Sequence, residues 1–124
     1  MTNTIINCFN VNDLEPFSFV AGTPQELTFD VNDSDGSPVD LSLTTCSVVF
    51  SPYGQYNYAI LTVAGSQIVI SGSPVNRFVA TTTNADTQYL EGKFTMQPVI
   101  VDAEGDEFRP SQGIVLILGR NATV

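Results

Sequence analysis

Tyr89-Leu90-Glu91-Gly92-Lys93-Phe94-Thr95-Met96-Gln97-Pro98-Val99-Ile100-Val101-Asp102, the break Ala103-Glu104-Gly105-Asp106-Glu107-Phe108, and Gly113-Ile114-Val115-Leu116-Ile117-Leu118 form the stretch whose reading decides the fold. Phe94, Met96, Pro98 and Ile100 share one parity, and Lys93, Thr95 and Gln97 share the other. That period of two is what a strand shows when one side faces a core. The two apolar runs are separated by an acidic segment centred on Gly105, and glycine reaches the positive φ that a tight reversal needs. The stretch reads as a β-hairpin.

The same punctuation extends towards the N-terminus. Phe17, Phe19 and Val20 begin a strand that Gly22-Thr23-Pro24 turns. Leu27, Phe29 and Val31 then alternate with Thr28, Asp30 and Asn32 up to Asp33-Ser34-Asp35-Gly36, residues that tolerate left-handed turns. After the extended piece Pro38-Val39-Asp40-Leu41, residues 45–50, 59–63, 67–70 and 77–80 are further strand candidates. Reversals at intervals of roughly 8–12 residues without a helical period indicate a sandwich or barrel. The single helical hint is Asn84-Ala85-Asp86-Thr87-Gln88-Tyr89, with Asn84 as its cap, and one turn is expected. The architecture predicted is all-β, two packed antiparallel sheets of roughly seven to nine strands with almost no helix. Its core is expected to hold Phe19, Leu27, Phe29, Val31, Val48, Phe50, Ile68, Ile70, Phe78, Phe94, Met96, Ile100, Leu116 and Leu118.

The 124 residues suffice for one domain with one core. Residues 17–118 are the expected sandwich, residues 1–16 an N-terminal arm or first strand, and residues 119–124 a tail. A hydrophobic content of 43% argues for a folded chain, and with 14% charged residues the surface must be built largely from uncharged polar groups. Such a surface suits close packing against neighbours, because few ions need desolvating on contact. Lys93, Arg77, Arg109 and Arg120 stand against 13 carboxylates, for a net charge of −9. Scattered cations do not make a phosphate-binding surface, so neither nucleic acid nor an anionic membrane is an expected partner. No apolar run approaches the roughly 20 residues of a spanning helix. The N-terminus lacks the basic and apolar regions of a secretory signal. Cys8 and Cys46 have no metal spacing, and Cys46 is in phase with Val48 and Phe50 as a small buried hydrophobe would be.

With no histidine in the chain, His-based triads, His-ligated zinc and imidazole acid–base catalysis are excluded. The carboxylates gather in the turns at 30–40 and 102–107, where no spacing selects a catalytic pair. The chain is therefore read as non-enzymatic and without a cofactor. Asp30, Asp33 and Asp35 are weak calcium candidates. Aligning Gly36 with the glycine of a calcium loop puts Val31 where the first carboxylate belongs and Ser42 where the closing glutamate belongs, so a solvated hairpin tip fits better. Asn121-Ala122-Thr123 matches a glycosylation sequon, read as chance without a signal peptide.

Two segments are candidate interaction sites. Tyr53, Tyr56 and Tyr58 lie in a loop with Asn, Gln and Gly between them, and tyrosine supplies contact area at small entropic cost. The alternative for this loop is a cap on one end of the sandwich. Ile5, Ile6 and Phe9 lie in an uncharged stretch, Thr2 to Phe9, that suits laying along a neighbour's sheet edge. The alternative there is a first strand of the chain's own sandwich.

Val20-Ala21-Gly22-Thr23, Leu27-Thr28-Phe29-Asp30-Val31, Asp35-Gly36-Ser37-Pro38-Val39-Asp40-Leu41, Val48-Val49-Phe50, Gly92-Lys93-Phe94-Thr95 and Asp102-Ala103-Glu104-Gly105 follow one another in an order that resembles the immunoglobulin-like module of tailed-phage virion proteins. The N-terminal domain of upper baseplate proteins is the nearest resemblance, and it covers roughly residues 17–118. It implies an immunoglobulin-like sandwich and an assembly role in the virion, formed in the host cytoplasm. No catalytic residue carries over. Members of that family usually continue into a longer chain, and this one stops at Val124, so a stand-alone accessory is expected. The roles implied are a capsid decoration (auxiliary) protein or head-fibre anchor, with a tail or baseplate accessory as the alternative. Partners would be other virion proteins and copies of the chain itself. The reading from another class is a calcium-dependent adhesion or carbohydrate-binding module.

Overall fold

The computed structural model describes residues 2–8, 14–33 and 35–120, and of these the side chains of residues 2–5, 7, 8, 14 and 15 lie outside the description. In chain order the strands are β1 (Thr2–Cys8), β2 (Leu14–Val20), β3 (Gln25–Val31), β4 (Thr45–Pro52), β5 (Leu61–Val63), β6 (Ile68–Ser71), β7 (Arg77–Thr81), β8 (Gly92–Val101), β9 (Glu107–Phe108) and β10 (Gly113–Leu118). A 3₁₀ turn at Gly65–Gln67 and the one-turn helix α1 (Asn84–Thr87) complete the described elements. One sheet has the order β1-β3-β7-β6. The other has β2-β10-β8-β4-β5, with β9 on the edge of β8 beyond β10. The expected sandwich is thus present. The layout β3-β7-β6 against β10-β8-β4-β5 is the division of strands between the two sheets of an immunoglobulin domain. The ten strands include the two-residue β9, and two pairings are parallel where antiparallel sheets were expected: β2 with β10 and β1 with β3.

The decisive stretch is the centre of its sheet. β8 pairs with β4 from Thr45↔Val101 to Pro52↔Phe94 and with β10 from Gly113↔Met96 to Ile117↔Gly92. Pro98 sits in this central strand although proline lacks a ladder donor. It falls where the second neighbour is interrupted, between the pairs Gly113↔Met96 and Ile100↔Phe108, so no described ladder bond is lost.

Thr2–Cys8, open between an arm and a first strand, is a strand of the chain's own sandwich. It runs parallel to β3 with Ile6 opposite Phe29, and Ile6 is buried in the core. The core lies between the sheets. Phe29 and Phe78 face each other across β3 and β7 with ring centroids 4.7 Å apart and planes 10° from parallel. Val48 and Phe50, with Phe94, Met96 and Ile100, supply the opposite side. Cys46 is a free, buried thiol, and burial pushes its pKa up.

Four expected core positions differ. Ile68 and Ile70 are half-buried, because β6 is an edge strand. Leu116 and Leu118 are 43% and 44% exposed, while Val115 and Ile117 are buried in their place. The run 114–118 is apolar at every position, so it carries no alternation from which its phase could be read. The cap of α1 also differs. Thr83, not Asn84, is the N-cap, and its hydroxyl accepts from the Asp86 amide while the Asp86 carboxylate accepts from the Thr83 amide. Asn84 instead donates to the Gly22 carbonyl at 2.8 Å, tying α1 to the turn after β2.

Two loops share one construction. In 33–37 the Asp33 side chain accepts from the amides of Asp35 and Ser37, and in 102–106 the Asp102 side chain accepts from those of Glu104 and Asp106. In each the glycine has positive φ and donates to the aspartate carbonyl. Because Thr45 at the start of β4 pairs with Val101 at the end of β8, both acidic loops lie at one end of the sandwich. Pro52↔Phe94 puts the tyrosine loop at the other.

Candidate interaction surface

The tyrosine loop is two consecutive turns. Gln55 N–H donates to the Pro52 carbonyl at 2.9 Å with Gly54 at φ 84°, the pattern of a type II turn, and Tyr58 N–H donates to the Gln55 carbonyl at 3.0 Å. Its ends are fastened to the sheet, since Tyr53 N–H donates to the Lys93 carbonyl and Ile60 N–H to the Phe50 carbonyl. The loop therefore presents its rings from a fixed base. Tyr53, Tyr56 and Tyr58 are 49%, 59% and 54% exposed, and none belongs to the core. The ammonium of Lys93 lies 3.9 Å from the centre of the Tyr53 ring, a cation–π contact worth about 0.5–1 kcal/mol at an exposed site.

The loop does not stand alone. Tyr53 and Tyr56 close a cleft of about 380 Å³ over the outer face of the β2-β10-β8 sheet, with Pro16, Thr95, Gln112, Gly113 and Ile114 as its other walls. From Ile114 the outward positions of β10 continue as Leu116 and Leu118, and Val20 of β2 stands opposite Leu118. The sequence alone does not reveal this row, because Leu116 and Leu118 are expected in the core. The one available signal was the uninterrupted apolar run itself, which exceeds what one buried face of a strand requires.

The remaining candidates separate. Ile6 is enclosed in the core and does not present its side chain to a neighbour. The side chain of Ile5, and Phe9 altogether, lie outside the described residues. Asp30 is on β3, where its carboxylate clamps Arg77 at 2.6 and 3.0 Å and raises the arginine's pKa. Asp33 and Asp35 sit in the loop beyond, their oxygens accepting from backbone amides of that loop. Hydrogen bonding with Asp33, then with Ser37, lowers the Asp35 pKa to about 2. Among the described residues no three His, Cys, Asp or Glu side chains gather as a metal site, and no helix is long and apolar enough to cross a membrane.

No protein-family model matches the chain, and a search of curated proteins finds no match. Among solved structures, the N-terminal domain of phage TP901-1 ORF48 is similar with a TM-score of 0.62 at 10% identity, over 95% of this chain and 99% of that one. The cysteine protease inhibitor EhICP2 from Entamoeba histolytica reaches a TM-score of 0.43 at 14% identity, over 93% and 96% of the two chains. At 10% identity the likeness to the phage domain is one of fold. The chain is an all-β sandwich that shares its fold with a phage protein domain along nearly the whole length of both.

Proposed function

We propose that this chain is a non-enzymatic structural subunit of a tailed-phage virion that docks on neighbouring virion proteins. The observation that carries the reading is the fold likeness to the N-terminal domain of phage TP901-1 ORF48, which extends over 95% of the chain. It agrees with the virion module that residues 17–118 resemble in sequence. The absence of histidine and the engagement of the loop carboxylates in turn hydrogen bonds support a role without catalysis. The role is a capsid decoration protein or head-fibre anchor, with attachment to the tail or baseplate as the alternative.

Particle fractionation tests this. The chain should co-purify with phage particles at fixed stoichiometry, and separating heads from tails tells which of the two it decorates. Absence from purified particles overturns the reading. A melting temperature raised by millimolar Ca²⁺ would favour the adhesion module instead, because a ligand bound only by the native state stabilises it.

A further inference from the structure

We propose that the outer face of β10 is a docking groove for one extended polypeptide segment of a neighbouring protein, apolar at alternate positions and carrying a carboxylate beside Lys93. The inference deepens the structural role above and rests on it for the identity of the neighbour alone.

Three observations select this occupant. The first is periodicity. Ile114, Leu116 and Leu118 project from one face of one strand, and at ~3.4 Å per residue alternate side chains repeat every ~7 Å. An extended segment repeats its own side chains at the same interval, so each apolar residue meets one on the strand.

The second is width. The pair across from Leu116 on β2 is Ser18, and on β8 it is Lys93, while Thr95 stands across from Ile114. The apolar row is one strand wide, joined by Val20 at its end. A neighbouring sheet laid flat would cover Ser18 and Lys93 with its outer strands, whereas a single segment leaves both at the rim. The Tyr53–Tyr56 cleft at the head of the row, at about 380 Å³, has room for one large side chain of that segment, the kind of buried anchor that dominates such contacts.

The third is charge. In a chain of net charge −9, the flank of this row carries a cation. Lys93 is exposed, is held over Tyr53, and takes part in neither ion pair formed among the described residues. Glu91 lies past the end of the row, against Gly119. A partner carboxylate beside Leu116 would therefore meet the ammonium at the rim, where it contributes more to orientation and specificity than to affinity. A neutral sugar would suit the tyrosine cleft, but Leu116, Leu118 and Val20 offer it no hydrogen-bonding groups.

The test is an NMR titration of the purified full chain. The probes are a capped heptapeptide with Ile, Leu and Val at alternate positions and one Glu, a shuffle of it with the three apolar residues adjacent, and maltohexaose. Amides of Tyr53, Tyr56, Lys93 and residues 114–118 should shift with the alternating peptide, and the shuffle should bind at least about tenfold more weakly. Leu116→Glu should weaken binding by a similar factor with the melting temperature within a few degrees of wild type. Leu118→Thr, a milder change, keeps the test decisive if Leu116→Glu destabilises the fold. Val69→Glu, at an exposed site on the other sheet, should leave binding unchanged. Equal binding of the two peptides, a response to the sugar alone, or shifts away from β10 overturns the inference. Because the purified chain is used, such a failure leaves the virion reading standing, and absence from particles leaves this groove standing.

Discussion

Within β10, Val115 and Ile117 are enclosed while Leu116 and Leu118 stand more than two-fifths exposed, although all four are aliphatic side chains of similar size. Val115 is paired with Phe94 and Phe17, so its parity places it between the sheets. Leu116 is paired with Lys93 and Ser18, which face solvent. Hydrophobicity supplies the free energy of burial but carries no direction along the strand. Direction comes from the neighbours in the ladder, whose own alternation has already separated inside from outside. An apolar row that the core leaves outside is the kind of surface that marks a contact.

The contrast is broken most directly at Phe94, the inward partner of Val115. Phe94→Ala should cost about 3–5 kcal/mol in denaturant unfolding, and a loss below about 1 kcal/mol would place the ring outside the core. Ile117→Ala should cost about 2–5 kcal/mol, whereas Leu118→Ala, one residue on, should stay within about 0.5 kcal/mol of wild type. Equal losses at these two positions would mean that the phase of β10 is wrong. Ile6→Ala extends the contrast to the other sheet. As part of the chain's own core it should cost about 2 kcal/mol, and an unchanged midpoint would return the segment to the role of a projecting arm.

The smallest effect is expected at Asp35, far from both faces and fully exposed. Its carboxyl is held down to about 2 from an ordinary 3.8, so its folded form binds a proton less readily than its unfolded form. The stabilisation is present above pH 3.8 and disappears as pH falls towards 2. Asp35→Asn should therefore lower the melting temperature slightly near pH 7, flatten its fall over that interval and converge with wild type towards pH 2. A steeper fall in the variant would contradict the assignment.

Of the candidate surface only the tyrosine loop was legible. The tyrosines of the loop were visible as aromatic side chains among turn-forming residues, and in the structure each is about half exposed. Their cleft was not legible, because its other walls, Pro16 and Ile114 among them, come from segments remote in sequence. The calcium candidates illustrate the converse. Asp30, Asp33 and Asp35 are close in sequence, yet Asp30 sits in the sheet against Arg77 while the other two nucleate a turn.

By itself the sequence determined that the chain is an all-β sandwich, where its turns fall, and that Leu27, Phe29, Val31, Val48, Phe50, Phe94 and Met96 form the core. These are local properties, since glycine conformations, turn residues and apolar–polar alternation are all written within a few residues. Only the tertiary structure decided the phase of β10, the parallel docking of β1 beside β3 and the choice of Thr83 over Asn84 as a cap. Each depends on a partner distant along the chain. A run of five apolar residues can face either way until β8 and β2 flank it, an uncharged terminus can project or pair until an open strand edge receives it, and Asn84 is taken from capping by the carbonyl of Gly22.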